Sequence, residues 1–239
     1  MSRNLLLIST STTHGTGYLE HAETEIKELL KGKSSILFVP YARPNGISHK
    51  DYTAKARETF EKWGISVTGV HEYDNPVKAV NEAEAVFIGG GNTFLLLKQL
   101  YANKLVEPLK ERVRKGMPYI GTSAGTNVAG KTIGTTNDMP IVHPKTLDAL
   151  ELVPFNINPH YLDPIPDSTH MGESRETRIL EFHGHNRQPV VGLREGSMLR
   201  VESDKIQLLG PLTARIFLQG QKPMEFAPSD DIAFLLEAY

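Results

Sequence analysis

Cysteine is absent from the 239 residues. That excludes disulfides, thiolate metal sites and a cysteine nucleophile, and it fits a cytoplasmic protein better than a small secreted scaffold. An excess of one charge is also missing. The chain carries 26 Lys and Arg against 28 Asp and Glu, a formal −2 with histidines neutral. No strong field therefore marks nucleic acid or an anionic membrane as a partner. Nothing approaches the ~18 consecutive apolar residues of a spanning helix. The apolar run after Met1-Ser2-Arg3-Asn4 is too short for the core of a signal peptide. The expectation is a cytoplasmic protein, monomer or small homo-oligomer, with no nucleic acid, membrane or metal in its function. Its length suits one α/β domain spanning 1–239, large enough to bury a core without staples.

What is present alternates. Leu5-Leu6-Leu7-Ile8, Ile36-Leu37-Phe38-Val39, Val67 to Val70, Ala85-Val86-Phe87-Ile88 and Pro118-Tyr119-Ile120 are short apolar runs. Between them lie stretches with helical spacing: Tyr18 to Leu30, Asp51 to Trp63 ending at Gly64, a short one after Pro76, Phe94 to Leu100 and Val106 to Lys115. Uninterrupted apolar strands separated by helices predict a mostly parallel sheet with helices on both faces, a three-layer α/β fold. Ligands in such sheets bind beyond the carboxyl ends of the strands. That points to three turns: the one after Ser9, Gly89-Gly90-Gly91-Asn92-Thr93, and Gly121-Thr122-Ser123-Ala124-Gly125. Residues 131–175 are rich in Pro, Asn, Asp and His and read as a long functional loop. A helix is expected near Arg175 to Phe182, then strands at 190–193, 197–202, 205–209 and 214–218.

Gly121-Thr122-Ser123-Ala124-Gly125 follows a strand and leads into a stretch able to continue as a helix, the context a G-x-S-x-G elbow requires. A Cβ beside a sharply bent serine would clash, and the bend places the hydroxyl at a helix N-terminus whose free N–H groups face developing negative charge. The alternative is a strand–helix turn that uses small residues for packing. A serine nucleophile needs a base and an orienting acid. Among nine histidines, His160 in Asn156-Ile157-Asn158-Pro159-His160-Tyr161 is the best candidate, against a structural histidine; His143 and His170 are weaker rivals. His14, His21, His49 and His71 read as surface residues, and His183 and His185 as decorations of a helix end. Glu195, after the apolar Val190 to Leu193, is the candidate acid, with a solvated hairpin turn as its alternative. The order Ser, His, Glu differs from that of α/β-hydrolases, so the elbow does not argue for that fold. The Gly89-Gly90-Gly91 turn lacks both nucleotide-loop patterns. It reads as half of an oxyanion hole, with N–H groups of Gly90 and Gly91 joined by that of Ala124, or else as a packing turn.

Assembled, these residues resemble the peptidase E (S51) family of serine peptidases. The likeness runs through the glycine turn, Tyr119 to Asn127, Thr135-Thr136-Asn137-Asp138-Met139-Pro140-Ile141-Val142, Ile157-Asn158-Pro159-His160, and Gly172-Glu173-Ser174-Arg175-Glu176-Thr177-Arg178. The resemblance implies a Ser123–His160–Glu195 triad, a flavodoxin-like fold related to class I glutamine amidotransferases, no cofactor, and cleavage of dipeptides with N-terminal aspartate. It also implies Arg175, assisted by His170, as the cation for the substrate aspartate, with an exposed helix charge as the alternative for Arg175. Asp138 becomes the anion for the substrate ammonium, or else a turn-stabilising residue. Thr122 stands where bacterial members carry a bulky aromatic. Other readings are a cyanophycinase-like enzyme acting on β-linked aspartyl polymers, and a catalytically inactive small-molecule binding module on the same fold.

Overall fold

The computed structural model describes residues 2–164, 169 and 171–237. The strands in chain order are β1 (Asn4–Ile8), β2 (Ser35–Val39), β3 (Ser66–Gly69), β4 (Val86–Ile88), β5 (Tyr119–Thr122), β6 (Asn156–Pro159), β7 (Val190–Leu193), β8 (Met198–Glu202), β9 (Lys205–Leu209), β10 (Ala214–Phe217) and β11 (Met224–Phe226). The helices are α1 (Glu23–Leu29), α2 (His49–Glu61), α3 (Pro76–Glu82), α4 (Thr93–Ala102), α5 (Val106–Arg114), α6 (Ala124–Asn127) and α7 (Arg175–His183).

The main sheet has the order β3-β2-β4-β5-β1-β8-β9. Its first five strands run parallel, and β8 and β9 extend it antiparallel. The continuous apolar runs follow from this placement, because both faces of a central strand are covered. In β1, Leu5 and Leu7 point into one core and Leu6 and Ile8 into the other. The Leu6 side packs against Ile26 and Leu29 of α1 and Ala56 and Phe60 of α2. The Leu5 side packs against Leu96 and Leu100 of α4 and Leu109 and Val113 of α5. This is an α/β fold with a mostly parallel main sheet and helices. Among the described residues no helix is long and apolar enough to cross a membrane.

The expected single sheet is incomplete in one respect. A second sheet, ordered β11-β10-β7-β6, joins the core on the α4–α5 side through Ile157, Val191, Leu193, Ala214 and Ile216. Strand β6 lies inside the stretch read as loop. Its Asn156 and Asn158 are buried, which spacing alone reports as loop-forming polarity. Tertiary partners bond both amide nitrogens, and the Thr132 N–H donates to Asn156 Oδ1 at 3.1 Å, while Asn158 Oδ1 bonds no described residue. Asn156 Nδ2 donates to Thr132 Oγ1 at 2.8 Å, and Asn158 Nδ2 donates to the Thr135 carbonyl and to Asn137 Oδ1, each at 2.7 Å. Buried amides whose donors are bonded in this way sit readily in a strand. The parallel pair β6–β7 ends at Pro159 opposite Leu193, so His160 and the Arg194-Glu195 pair leave neighbouring strands at the same end.

Candidate active site

Ser123 follows β5 and stands at the N-cap of α6 with φ 52° and ψ −110°. This conformation costs an L residue ~1–3 kcal/mol, and bonds around the turn hold it. The Ser123 N–H donates to the Ile8 carbonyl at 3.1 Å, and the Asn127 N–H donates to the Ser123 carbonyl at 2.9 Å. Thr126 Oγ1 lies 2.6 Å from the Ile8 carbonyl and 2.8 Å from that of Gly121, so its hydroxyl bridges two strand ends. The flanking glycines are steric requirements. A Cβ on Gly121 would stand 2.6 Å from the Gly125 carbonyl oxygen, and one on Gly125 would run into the Ile88 carbonyl. The motif is thus a backbone crossing with no room for side chains.

Ser123 Oγ lies 2.9 Å from His160 Nε2, and His160 Nδ1 lies 2.6 Å from Glu195 Oε1. An ionised carboxylate only accepts, so the Nδ1 proton belongs to this bond and Nε2 is the acceptor for the serine hydroxyl. The His160 and Glu195 side chains are 36% and 53% exposed. Their alignment therefore depends on how their backbones are held.

Part of that holding comes from Ser9, a residue the sequence reading placed near the rim without a role. Ser9 is fully buried at the end of β1. Its Oγ accepts the His160 backbone N–H at 2.9 Å and donates to the Leu193 carbonyl at 2.7 Å. It joins the sheet that leads to Ser123 to the strands that lead to His160 and Glu195. His160 itself has φ 53°, a second non-glycine residue in the left-handed region.

The glycine turn lies against Ser123. A Cβ on Gly90 would be 3.1 Å from Ser123 Cβ and 3.7 Å from Ser123 Oγ. Gly91 has φ 146°, and a Cβ there would collide with the Ala42 carbonyl, which accepts the Asn92 N–H at 2.6 Å. Below the turn, Tyr52 OH donates to the Gly90 carbonyl at 3.2 Å. No described residue accepts the N–H of Gly90, Gly91 or Ala124. These donors are therefore available beside the serine hydroxyl, and Ala124 opens α6, where unpaired N–H groups concentrate.

The Thr135–Asp138 string straps this turn to the His160 segment. Thr135 Oγ1 donates to the Ile157 carbonyl at 3.0 Å, and Asn137 Nδ2 donates to the Pro159 carbonyl at 2.7 Å. Asp138 Oδ2 accepts from the Thr93 N–H at 2.7 Å, from Thr93 Oγ1 at 2.6 Å and from Thr136 Oγ1 at 3.2 Å. Asp138 thus caps α4 three residues after Gly90, while its Oδ1 bonds no described residue. Arg175 begins α7 and is half-buried. Burial lowers its pKa and the neighbouring Arg178 charge adds to this, while Asp138 opposes both. Asp138 and Arg175 therefore share one electrostatic neighbourhood at the rim.

None of the other described histidines hydrogen-bonds Ser123 or Glu195. His143, His14 and His185 are exposed, and His170 lies outside the described residues. His183, read as a decoration of a helix end, is buried instead, with Nε2 3.0 Å from the Gln188 carbonyl. The helix turns its last residues under β7, which its spacing did not reveal. His21 is half-buried as well, and burial lowers its pKa, against the opposing pull of Glu25 and Thr10. Thr122 is fully buried and its hydroxyl bonds no described residue. Among the described residues no cluster of three or more His, Cys, Asp or Glu is arranged to hold a metal.

With this geometry in place, likeness to known proteins is informative. A Drosophila melanogaster protein described as a probable alpha-aspartyl dipeptidase is 49% identical over 239 residues, covering 99% of this chain and 98% of that one. Peptidase E of Streptomyces coelicolor is 52% identical over 234 residues, 98% of this chain and 95% of its own. The crystal structure of a peptidase from an acI-B1 Actinobacterium superposes with a TM-score of 0.72 over 97% of each chain, at 20% identity, a likeness of fold. The profile of peptidase family S51 matches residues 5–209, β1 to the end of β9 and hence the whole main sheet with Ser123, His160 and Glu195, and the chain belongs to that family.

Proposed function

We propose that the protein is a serine exopeptidase that hydrolyses Asp-X dipeptides through an acyl-enzyme on Ser123. The observation that carries the reading is the continuous chain Ser123 Oγ, His160 Nε2, His160 Nδ1, Glu195 Oε1, with gaps of 2.9 and 2.6 Å. His160 takes the serine proton as Oγ attacks the aspartyl carbonyl. Glu195 fixes the tautomer and stabilises the imidazolium. N–H groups of Ala124 and of the Gly90–Gly91 turn receive the oxyanion. His160 then returns the proton to the leaving amine, and water, activated by the same imidazole, hydrolyses the ester.

Selectivity is assigned to the rim. Arg175 grips the substrate carboxylate, with His170 as its assistant. Asp138 receives the ammonium on Oδ1 while Oδ2 stays bonded to α4. This arrangement suits a short substrate with a free N-terminus, in line with the Drosophila relative described as a probable alpha-aspartyl dipeptidase. We further propose one flavodoxin-like domain over 1–239, of the class I glutamine amidotransferase type, a cytoplasmic location, and a monomer or small homo-oligomer that needs no cofactor. Parallel order β3-β2-β4-β5-β1 with the nucleophile after β5 supports the fold reading.

The test is a panel of Asp-Leu, Asn-Leu, Glu-Leu, β-Asp-Leu and N-acetyl-Asp-Leu, with leucine release measured on the wild type and Ser123→Ala. Asp-Leu alone should turn over well, and only with Ser123 present. Equal cleavage of the acetylated or β-linked peptide would overturn the substrate assignment, and an active Ser123→Ala would overturn the mechanism.

A further inference from the structure

Arg194 has no role in the chemistry above, yet it is the most heavily bonded side chain near it. Its side chain is only 14% exposed. Nε donates to Asp163 Oδ2 at 2.8 Å and Nη2 to Asp163 Oδ1 at 2.6 Å, a two-pronged grip. Nη1 donates to Glu225 Oε2 at 2.9 Å and Nη2 to Glu225 Oε1 at 3.0 Å. Nη1 also reaches the Thr213 carbonyl at 2.8 Å and Thr213 Oγ1 at 2.9 Å. All the donors of the fork are engaged. The guanidinium lies over the Tyr161 ring, 5.5 Å from its centre.

The partners sit on separate segments. Arg194 directly precedes Glu195, and Asp163 is three residues beyond His160. Thr213 precedes β10, and Glu225 lies in β11. The β6–β7 pairing ends at Pro159 and Leu193, with one more bond from the Tyr161 N–H to the Leu193 carbonyl at 3.1 Å. Past that point, the Arg194–Asp163 grip continues the connection where the ladder stops. The His160–Glu195 contact is half exposed, and an exposed pair contributes little to its own alignment. A bidentate guanidinium pair fixes direction as well as distance.

We infer that Arg194 is a positioning residue, whose guanidinium clamps the His160 segment to the Glu195 segment and so sets the imidazole–carboxylate alignment on which Ser123 depends. The inference rests on the reading of these three residues as a triad. Charge makes it distinguishable from simple support. The charged groups around His160 are Glu195, then Asp163, Arg194, Arg215 and Glu225 at the second sheet, with Asp138 and Arg175 at the rim. Removing the Arg194 charge leaves Asp163 without its guanidinium, while Arg215 still bonds Glu225 at 3.0 Å, and so makes the field at this end of the second sheet more negative. Lysine at the position would return the charge without the fork.

The experiment uses the full chain with Arg194→Gln, Arg194→Lys and Asp163→Asn, the last as the milder variant should Arg194→Gln fail to fold. Arg57→Gln, which breaks the remote Arg57–Glu72 pair, serves as a control. Steady-state hydrolysis of Asp-Leu, its pH profile and the rate of Ser123 labelling by a fluorophosphonate are measured on folded protein. A small misplacement of a catalytic group costs up to ~100-fold. Arg194→Gln should therefore lose about 10- to 100-fold in kcat with little change in KM, and its labelling should slow in parallel. Its acid limb should move to higher pH. Arg194→Lys should return the acid limb but not kcat, and Asp163→Asn should lower kcat without that upward move. Wild-type kcat and labelling in folded Arg194→Gln and Asp163→Asn would overturn the inference. So would losses that match the unfolded fraction with an unmoved pH profile. Failure of the substrate reading would show separately, as a wild type that labels at Ser123 but cleaves no Asp-X peptide.

Discussion

Ser9 Oγ accepts the backbone N–H of His160 at 2.9 Å across 151 residues of sequence. The same oxygen's proton goes to the Leu193 carbonyl, so one hydroxyl anchors the proposed base and the strand that delivers its acid. Ser9→Ala leaves the buried His160 N–H unpaired, while the Leu193 carbonyl keeps the Tyr161 N–H; the cost is ~1–3 kcal/mol for the one orphaned group. The expected result is a loss of about 1–3 kcal/mol in urea unfolding, with a fall in kcat that exceeds any change in KM. Full stability and full kcat would show that His160 needs no such anchor.

Where sequence reading succeeded, the signals were local. The strands of the main sheet stand out because both faces are buried, and the elbow stands out because its glycines sit at adjacent crossings of backbone. Ser9, Arg194 and strand β6 were missed because their roles exist only after folding. Ser9 meets Leu193 across 184 residues, and Arg194 meets Asp163 and Glu225, each 31 residues away. A serine after a strand or an Arg-Glu-Gly turn carries no spacing that announces such partners. The asparagines of β6 misled for a related reason, since their polarity signals loop until the Thr132–Asn137 stretch arrives to bond them. The second sheet, and with it the way His160 and Glu195 come to one rim, was thus the part that periodicity could not supply.

Ser123 occupies a backbone region that glycine enters freely. Relief of ~1–3 kcal/mol of strain should outweigh the ~0.4–1 kcal/mol that glycine costs through the unfolded chain. Ser123→Gly should therefore be inactive and more stable than Ser123→Ala, by about 1 kcal/mol. Chemical denaturation of the two variants decides this. A less stable glycine variant would mean that the turn is not strained in solution.

Acid should loosen the second sheet. Burial pushes the Glu225 carboxyl up, but hydrogen bonds from Arg194, Thr213 and Arg215 outweigh it and hold the group at about 2, below its ordinary 4.5. The Arg194 hydrogen bonds likewise hold Asp163 low. A depressed carboxyl contributes stability that is fully present above its unfolded value and is lost as pH falls through its folded value. Urea midpoints should thus decline between about pH 4.5 and 2, and Glu225→Gln should flatten part of that decline. A slope remains from Glu84, which bonds to Ser35 and Ser34 hold at about 2. An unchanged slope in Glu225→Gln would remove the second sheet from the acid response.

Arg175 and Asp138 separate by substrate. A hydrogen bond to a charged group contributes ~1.5–3 kcal/mol, roughly 10- to 150-fold in preference. Arg175→Met should shrink the ratio of Asp-Leu to Asn-Leu kcat/KM by that order, while Asp138→Asn should raise KM for Asp-Leu and narrow its advantage over N-acetyl-Asp-Leu. Unchanged discrimination in Arg175→Met would return that residue to the surface of α7. Asp138→Asn also weakens the cap of α4, so its thermal stability should fall, which Arg175→Met should not reproduce.

Gly125 and Gly90 flank the serine from opposite sides, and their spaces differ. A Cβ on Gly125 meets the Ile88 carbonyl carbon at 2.8 Å and its oxygen closer still, and both belong to a central strand that cannot yield. Gly125→Ala should give little folded protein, since overpacking against fixed backbone costs ~1–3 kcal/mol or more. A Cβ on Gly90 meets Ser123 Cβ at 3.1 Å and the Thr122 carbonyl at 3.2 Å, contacts that a shift of a few tenths of an ångström (~0.3 Å, against the usual ~3.5–4.0 Å contact) begins to relieve. That shift moves Ser123, the proposed nucleophile, relative to His160 and the turn's own N–H groups. Gly90→Ala should therefore fold near normally and lose ~10- to 100-fold in kcat. Measured together, the two alanines distinguish glycine needed to close the turn from glycine needed to aim the hydroxyl. An active Gly90→Ala would mean that the turn has slack which the close approach to Ser123 does not suggest.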